Sequence, residues 1–286
     1  MKTKFIAVII LIFSFYCCSE KEKQENDLIK NNIKGNVKST KTGTFKAIEK
    51  FGEIVKGQVY SPPFTEIFFN EKGYIIEENQ YKNGSLSWKT KCKYEKNNII
   101  EKNGYNSDGQ ISSKTELEYD QKGNIIKKTK YPVIKIFWKG KRIKYETTFK
   151  YNKNGNKIEE NRFNSDNTLG TKVKFKYNEK GDVIEVNEYN SDGSLRVKKR
   201  FTYTISGNIE EEIAYKPDGD LFWKNVYKYN KNNDYSEYLI FNNKDILDSK
   251  ITYEYQYDNH NNWIKKIEFS NEKPDVIVER EIEYYN

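Results

Sequence analysis

The residues that most often carry chemistry are scarce in this chain. Among 286 residues there is one histidine, His260, one methionine, and three cysteines, Cys17, Cys18 and Cys92. That count excludes a three-histidine zinc site and a paired-histidine acid–base mechanism. A nucleophilic Cys92 needs a base beside it, and the only imidazole lies far along the chain. Ile67, Leu117, Phe149, Phe175 and Phe201 hold the position of Cys92 in other segments, so it reads as a core residue. His260, in Tyr-Asp-Asn-His-Asn-Asn, takes a turn position that Lys72, Lys122, Asn154 and Lys180 hold elsewhere, and reads as solvated. Two Asn-Ser-Asp-Gly segments, 106–109 and 190–193, offer oxygens for calcium. A calcium site takes six or more oxygens and usually a bidentate acid, and turn chemistry alone accounts for these residues. Glu77, Glu101, Glu159, Glu185, Glu211 and Glu237 form a column broken by Lys127 and Lys265. Glycosidase carboxylates would be an isolated couple; a ladder matched to bases is a solvated face. The expectation is no catalytic residue, no metal, no cofactor, and a protein that is not an enzyme.

The elements that carry these residues repeat. One aromatic column runs Phe69, Tyr94, Tyr119, Tyr151, Tyr177, Tyr203, Tyr229, Tyr257, mostly at intervals of 25 or 26 residues, and each member opens a turn rich in Asn, Asp and Gly. A second column, Tyr81, Tyr105, Tyr131, Phe163, Tyr189, Tyr215, Phe241, Phe269, follows eleven or twelve residues later. Val, Ile, Tyr, Phe and Thr between the turns favour strands. The pattern predicts an all-β fold: a repetitive antiparallel hairpin meander of about eight units, with about sixteen strands over 64–286, forming an elongated or spiralling open sheet. No helix is expected beyond the N-terminal segment. With four loop residues per turn, Lys174 faces Glu185, Arg200 faces Glu211, Glu116 faces Lys127 and Glu254 faces Lys265. The next column then pairs Ile67–Ile76, Leu117–Ile126, Phe149–Ile158, Phe175–Ile184 and Tyr255–Ile264, giving one Ile/aromatic face and one Lys/Glu face. Ile184 and Tyr189 are five apart, so either a bulge intervenes or the strand changes face.

Hydrophobic residues make up 36% and charged residues 32% of the chain, a balance close to disorder, but aromatics at 15% argue for a folded domain. Residues 1–18, MKTKFIAVIILIFSFYCC, begin with Lys2 and Lys4 and continue as an apolar run too short to span a bilayer. The segment resembles a bacterial lipoprotein signal, which implies lipidation of a cysteine after cleavage. Cys18 is favoured because it leaves small Cys17, not Tyr16, before the cut. Residues 19–30 then read as a flexible tether. Without Lys2 and Lys4 the 50 basic residues become 48, against 42 acidic, so the mature chain carries +6. The resemblance implies a lipid anchor in a bacterial envelope membrane, with the outer membrane favoured and its face open.

The units over 69–286 resemble YD repeats of the RHS family, whose core is Tyr-Asp-x-x-Gly-Asn: YDQKGN at 119–124 matches, and YNKNGN at 151–156 nearly so. MORN repeats are a weaker resemblance. Residues 31–68 read as a degenerate N-terminal capping unit. The resemblance implies a continuous curled sheet of hairpins.

One unit departs from the period. Its interval is 32, and 131–145 reads YPVIKIFWKGKRIKY, an extended hairpin with a Lys-Gly-Lys tip. Ile134, Ile136, Phe137 and Trp138 are therefore the candidate partner-binding residues. The leading function is a non-catalytic, membrane-anchored envelope lipoprotein that binds or displays to a protein or cell-envelope polysaccharide. A toxin-associated immunity or accessory role, from the resemblance alone, and a carboxylate-dependent envelope hydrolase are the alternatives. Nucleic acid is not an expected partner, because acids neutralise the basic positions.

Overall fold

A long polar chain with a strand signal every dozen residues has to hide the edges of its sheet, and here it does so by closing the sheet on itself. The computed structural model describes residues 26–132, 137–138 and 141–286, with the backbone alone at 61–63, 137–138 and 141–142. A single helical turn, α1 (Asp27–Lys30), precedes β1 (Val37–Lys50), β2 (Glu53–Phe69), β3 (Ile75–Lys82), β4 (Ser85–Glu95), β5 (Asn98–Asn106), β6 (Ile111–Tyr119) and β7 (Ile125–Tyr131). A two-residue pair, β8 (Phe137–Trp138) and β9 (Lys141–Arg142), stands apart from the main sheet. The sheet resumes with β10 (Tyr145–Tyr151), β11 (Lys157–Phe163), β12 (Leu169–Tyr177), β13 (Val183–Asn190), β14 (Leu195–Tyr203) and β15 (Ile209–Tyr215). It ends with β16 (Leu221–Tyr229), β17 (Tyr235–Phe241), β18 (Leu247–Tyr257), β19 (Trp263–Ser270) and β20 (Lys273–Tyr284).

Each strand pairs antiparallel with the next, β7 passes directly to β10, and β20 returns to β1 through Val37↔Tyr284, Thr42↔Arg280 and Phe45↔Ile277. The 18 strands therefore form a closed barrel. This corrects the open or spiralling sheet expected from sequence, while the all-β antiparallel meander stands. The partners that close it lie more than two hundred residues apart, and nothing local announces the pairing. The helix α1 corrects the expectation of no helix beyond the N-terminal segment.

The turn geometry explains the register. After Tyr177, the Asn178 N–H donates to the Asp182 carbonyl (2.9 Å) and the Gly181 N–H to the Asn178 carbonyl (3.1 Å), with Gly181 at φ +87°. Tyr177 then faces Val183, and Lys176 faces Glu185, which leaves Ile184 as an extra residue: a bulge. The same shift recurs after Phe69, Tyr94, Tyr119, Tyr151, Tyr203, Tyr229 and Tyr257. The bulge carries Ile184 to the outer face with Tyr189. It also moves the expected pairs by two residues, so that Lys176, not Lys174, faces Glu185, and Phe175 faces Val186 rather than Ile184.

A bulge disrupts the ladder beside it, and the first aromatic column uses the carbonyls left there. The Tyr203 hydroxyl donates to the Val183 carbonyl (2.7 Å), Tyr177 to Lys157 (2.6 Å), Tyr229 to Ile209 (2.7 Å) and Tyr119 to Ile99 (2.7 Å). Each tyrosine thus ties its hairpin to the previous one.

The N-terminal segment stitches the seam. Leu28 and Ile33 pack with Val37 and Phe69 in a small core. The Leu28 N–H donates to the Gly73 carbonyl, the Lys34 N–H to Asn262 Oδ1 (2.8 Å), and Asn32 Nδ2 to Asp234 Oδ1 (3.1 Å). Residues 26–34 therefore span the turns on both sides of the β1–β20 junction.

Candidate functional site in the barrel interior

Strand alternation divides the barrel wall into two unlike faces. The outer face carries a ladder of ion pairs: Lys89–Glu77 (2.9 Å), Lys114–Glu101 (2.8 Å), Lys127–Glu146 (3.0 Å), Lys150–Glu159 (2.8 Å), Lys176–Glu185 (2.8 Å) and Lys228–Glu237 (2.6 Å). Hydrogen bonds from Lys176 and Asn187 hold the Glu185 carboxyl below the usual glutamate value against the opposing effect of burial, and Lys150 and Asn161 do the same for Glu159. The Lys/Glu face read from sequence is therefore real, but the bulge changes its pairs: Lys176 faces Glu185 and Glu118 faces Lys127, while Glu211 faces Thr202 and Lys265 faces Gln256.

The inner face is aromatic along one side. Phe149, Phe175, Phe201, Tyr227 and Tyr253 recur every 26 residues on β10, β12, β14, β16 and β18. Tyr227 stacks on Tyr238 with centroids 5.0 Å apart, and Tyr235 lies 5.6 Å from Tyr227 and 6.4 Å from Tyr253. Burial raises the hydroxyl pKa values of Tyr235 and Tyr238, so the cluster is neutral. Against this wall lies a cavity of about 620 Å³, bounded by side chains of β7 and β10 through β17, among them Lys128, Phe149, Phe175, Phe201 and Tyr227. Its size falls in the range of small-molecule sites.

The cavity contains three carboxylates, and all are paired. Glu160 holds Lys157 (3.0 Å) and Arg162 (2.7 Å); Glu188 holds Arg196 (2.5 Å); Glu212 holds Lys199 (3.0 Å) and the Tyr227 hydroxyl (3.2 Å). Burial raises the Glu160 pKa, but Lys157 and Arg162 outweigh it, so the net shift is downward. A glycosidase acid needs the opposite shift. Cys92 is half-buried on this inner face, opposite Lys102, and burial pushes its thiol up. The His260 ring stacks on Tyr284 at 4.1 Å, and its backbone N–H donates to Asp258 Oδ1. Asp192 Oδ1 accepts from the Ser194 N–H and hydroxyl, so its oxygen serves the turn.

No family model matches the chain, and no curated protein matches it. Two crystal structures of porin-like proteins are similar in arrangement. One, from Bacteroides uniformis ATCC 8492, is 11% identical and covers 87% of this chain and 99% of its own, with a TM-score of 0.43. The other, from Bacteroides vulgatus ATCC 8482, is 9% identical and covers 87% and 98%, with a TM-score of 0.37. The Tc holotoxin pore of Photorhabdus luminescens matches 75% of this chain and 15% of that one at 12% identity, with a TM-score of 0.24. The resemblance to YD repeats, and the weaker one to MORN repeats, is corrected: neither family's model matches, and the hairpins close into a barrel. The toxin-accessory reading rested on that resemblance alone and goes with it.

Cys18, Ile134 and Ile136 lie outside the described residues, and Phe137 and Trp138 are described by backbone only, paired with Arg142 and Lys141. The residues that sequence reasoning missed are the interior lysines. Lys102 and Lys128 occupy inner positions that Glu78, Glu160 and Glu212 hold in other units, a change of sign visible once the bulge is placed.

Proposed function

We propose that the protein is a non-catalytic lipoprotein of the bacterial envelope, with the outer membrane favoured, whose barrel is tethered by an acylated Cys18 rather than threaded through the bilayer. The outer ladder of ion pairs carries this reading. A spanning barrel presents an apolar band about 25 Å tall, and each lysine or arginine on that band costs about 2–4 kcal/mol at mid-depth. Here Lys150 and Lys176 are each 65% exposed on the outside, in a ladder of charges running from β3 to β18. The paired interior acids support a non-catalytic role.

The tether sets the orientation. Residues 19–25, extended, reach about 25 Å, which keeps the end bearing α1 close to the membrane. At the other end stand the two departures from the regular meander. One is the 131–145 insertion. The other is the β1–β2 hairpin, whose pairs Ala47↔Lys56 and Lys50↔Glu53 continue past the last β20 partner of β1, Lys46↔Val276. Its tip residue Phe51 is fully exposed in the left-handed region at φ +54°, a costly place for a bulky side chain. The β1–β2 tip lies at the end away from the membrane, and β7 ends and β10 begins at that same end, so a protein or glycan partner would dock there.

Mass spectrometry of the N-terminal peptide from native membranes tests the anchor: a diacylated or triacylated Cys18 is expected, and an unacylated peptide beginning elsewhere refutes it. For the far end, Phe51→Ala and the double change Phe137→Ala, Trp138→Ala should lower capture of envelope partners while moving stability by no more than about 0.5 kcal/mol. Unchanged capture would remove these tips from the binding surface.

A further inference from the structure

The inner wall carries a charge cluster that the barrel does not neutralise. Lys102 on β5 and Lys128 and Lys130 on β7 share the inner face, with Lys102 opposite Thr115, Lys128 opposite Leu117 and Thr147, and Lys130 opposite Thr115 and Tyr145. None of the three makes an ion pair with a described residue, whereas the outer lysines Lys114, Lys127, Lys150, Lys176 and Lys228 all do. Lys128 lines the cavity and keeps more than a third of its surface exposed. Burial, and then repulsion from Lys102 and Lys130, pulls its pKa down, with Arg162 adding to the repulsion and Glu160 opposing it. Counting the cavity's charged side chains gives Lys128, Lys157, Arg162 and Lys199 against Glu160, Glu188 and Glu212, an excess of one cation before Lys102 and Lys130 are added.

The apolar half of the same cavity begins on the next strands. Phe149 is two positions along β10 from Thr147, which faces Lys128. Phe175, Val173, Val186 and Phe201 continue it to Tyr227. Lys157 lies over Phe149 (5.4 Å) and Phe175 (4.5 Å), so one side of those rings is already engaged by an ammonium group. An uncompensated cationic cluster in a confined space is unfavourable on its own and favourable with an anion in it. We propose that the barrel interior binds an acidic amphiphile, a carboxylate with an extended apolar body, its carboxylate at Lys102, Lys128 and Lys130 and its apolar body along Phe149, Phe175 and Phe201. Free inorganic anions would use only the lysines. Neutral glycans would use only the rings. The two halves side by side fit a molecule that has both.

The test is calorimetric titration of the purified mature protein with dodecanoate, dodecanol, inorganic phosphate and an oligogalacturonate. Dodecanoate should bind, with dodecanol about ten-fold weaker or more for want of the charge. Lys128→Gln and, separately, Lys102→Gln should each weaken dodecanoate about ten-fold, and Phe175→Ala should do so through lost apolar contact. Without ligand at low salt, Lys128→Gln should melt no lower than the parent, because it removes repulsion and breaks no ion pair. Equal binding of dodecanol and dodecanoate, or undiminished binding by both lysine variants, overturns the proposal. So does phosphate or oligogalacturonate binding more tightly than dodecanoate, or no binding of dodecanoate at all. The readout does not involve Cys18, so its failure is separate from that of the anchored-barrel reading.

Discussion

The tyrosine hydroxyls of the first aromatic column work as cross-ties, and this gives them a measurable value. Tyr203 donates to the Val183 carbonyl next to a bulge, where the ladder offers no regular partner. Tyr203→Phe keeps the ring and orphans that carbonyl, so it should cost about 1–2 kcal/mol, read as a lower urea midpoint with an unchanged slope. Glu185 supplies a second test at this scale. Its folded-state pKa lies below the ordinary value of 4.5, because Lys176 and Asn187 bond the carboxylate. A depressed carboxylate contributes stability above its unfolded pKa and loses it as pH falls through the folded value. Glu185→Gln should therefore be less stable than the parent at neutral pH, and the gap should close in acid below 4.5. A gap that widens on acidification would contradict the assignment.

Among the elements, the bulge after each inner turn decides which residues face which way. Deleting Ile184 would remove the extra residue from β13 and make Val183 and Glu185 neighbours opposite Tyr177 and Lys176, so that regular alternation alone keeps them on opposite faces and only the bulge is lost. Ile184 is itself exposed at 38%, so Ile184→Ala should change stability by less than about 1 kcal/mol, while the deletion, which removes the bulge beside the Tyr203–Val183 hydrogen bond, should lower the melting temperature further and leave the strand content in place. Circular dichroism with a thermal melt of the two variants distinguishes them. The hairpin period was legible in the aromatic columns and in the Asn, Asp and Gly of the turns, because those residues are required by local backbone geometry. The bulge was not, since Ile76, Ile126, Ile158, Ile184 and Ile264 look like ordinary strand residues and their extra place in the ladder exists only against a partner strand. That single unread residue put the isoleucines on the aromatic face and displaced every expected charge pair by two.

At the scale of the whole molecule, closure changes what the chain can do. An open sheet offers a face; a closed one offers an interior, and the Phe149–Phe175–Phe201–Tyr227 wall becomes the lining of a cavity. That β20 returns to β1 was not legible in the sequence, because the β1–β20 pairs, such as Thr42↔Arg280, are matched only in three dimensions. The proposed function rests on the Lys/Glu ladder outside: a tethered barrel in water accommodates it, and a spanning barrel would carry a cost of about 2–4 kcal/mol for each lysine or arginine at mid-depth.

Fractionation tests that distinction most directly. The chain is secreted behind an ordinary cleavable signal with Cys17→Ser and Cys18→Ser, so that no acyl chain can be attached, and the envelope is separated into soluble and membrane fractions without detergent. A folded β protein is expected in the soluble fraction, with the acylated parent in the membrane. A barrel that stays in the outer membrane without its cysteines, and leaves it only in detergent, would show that the strands themselves span the bilayer and that the tethered reading is wrong.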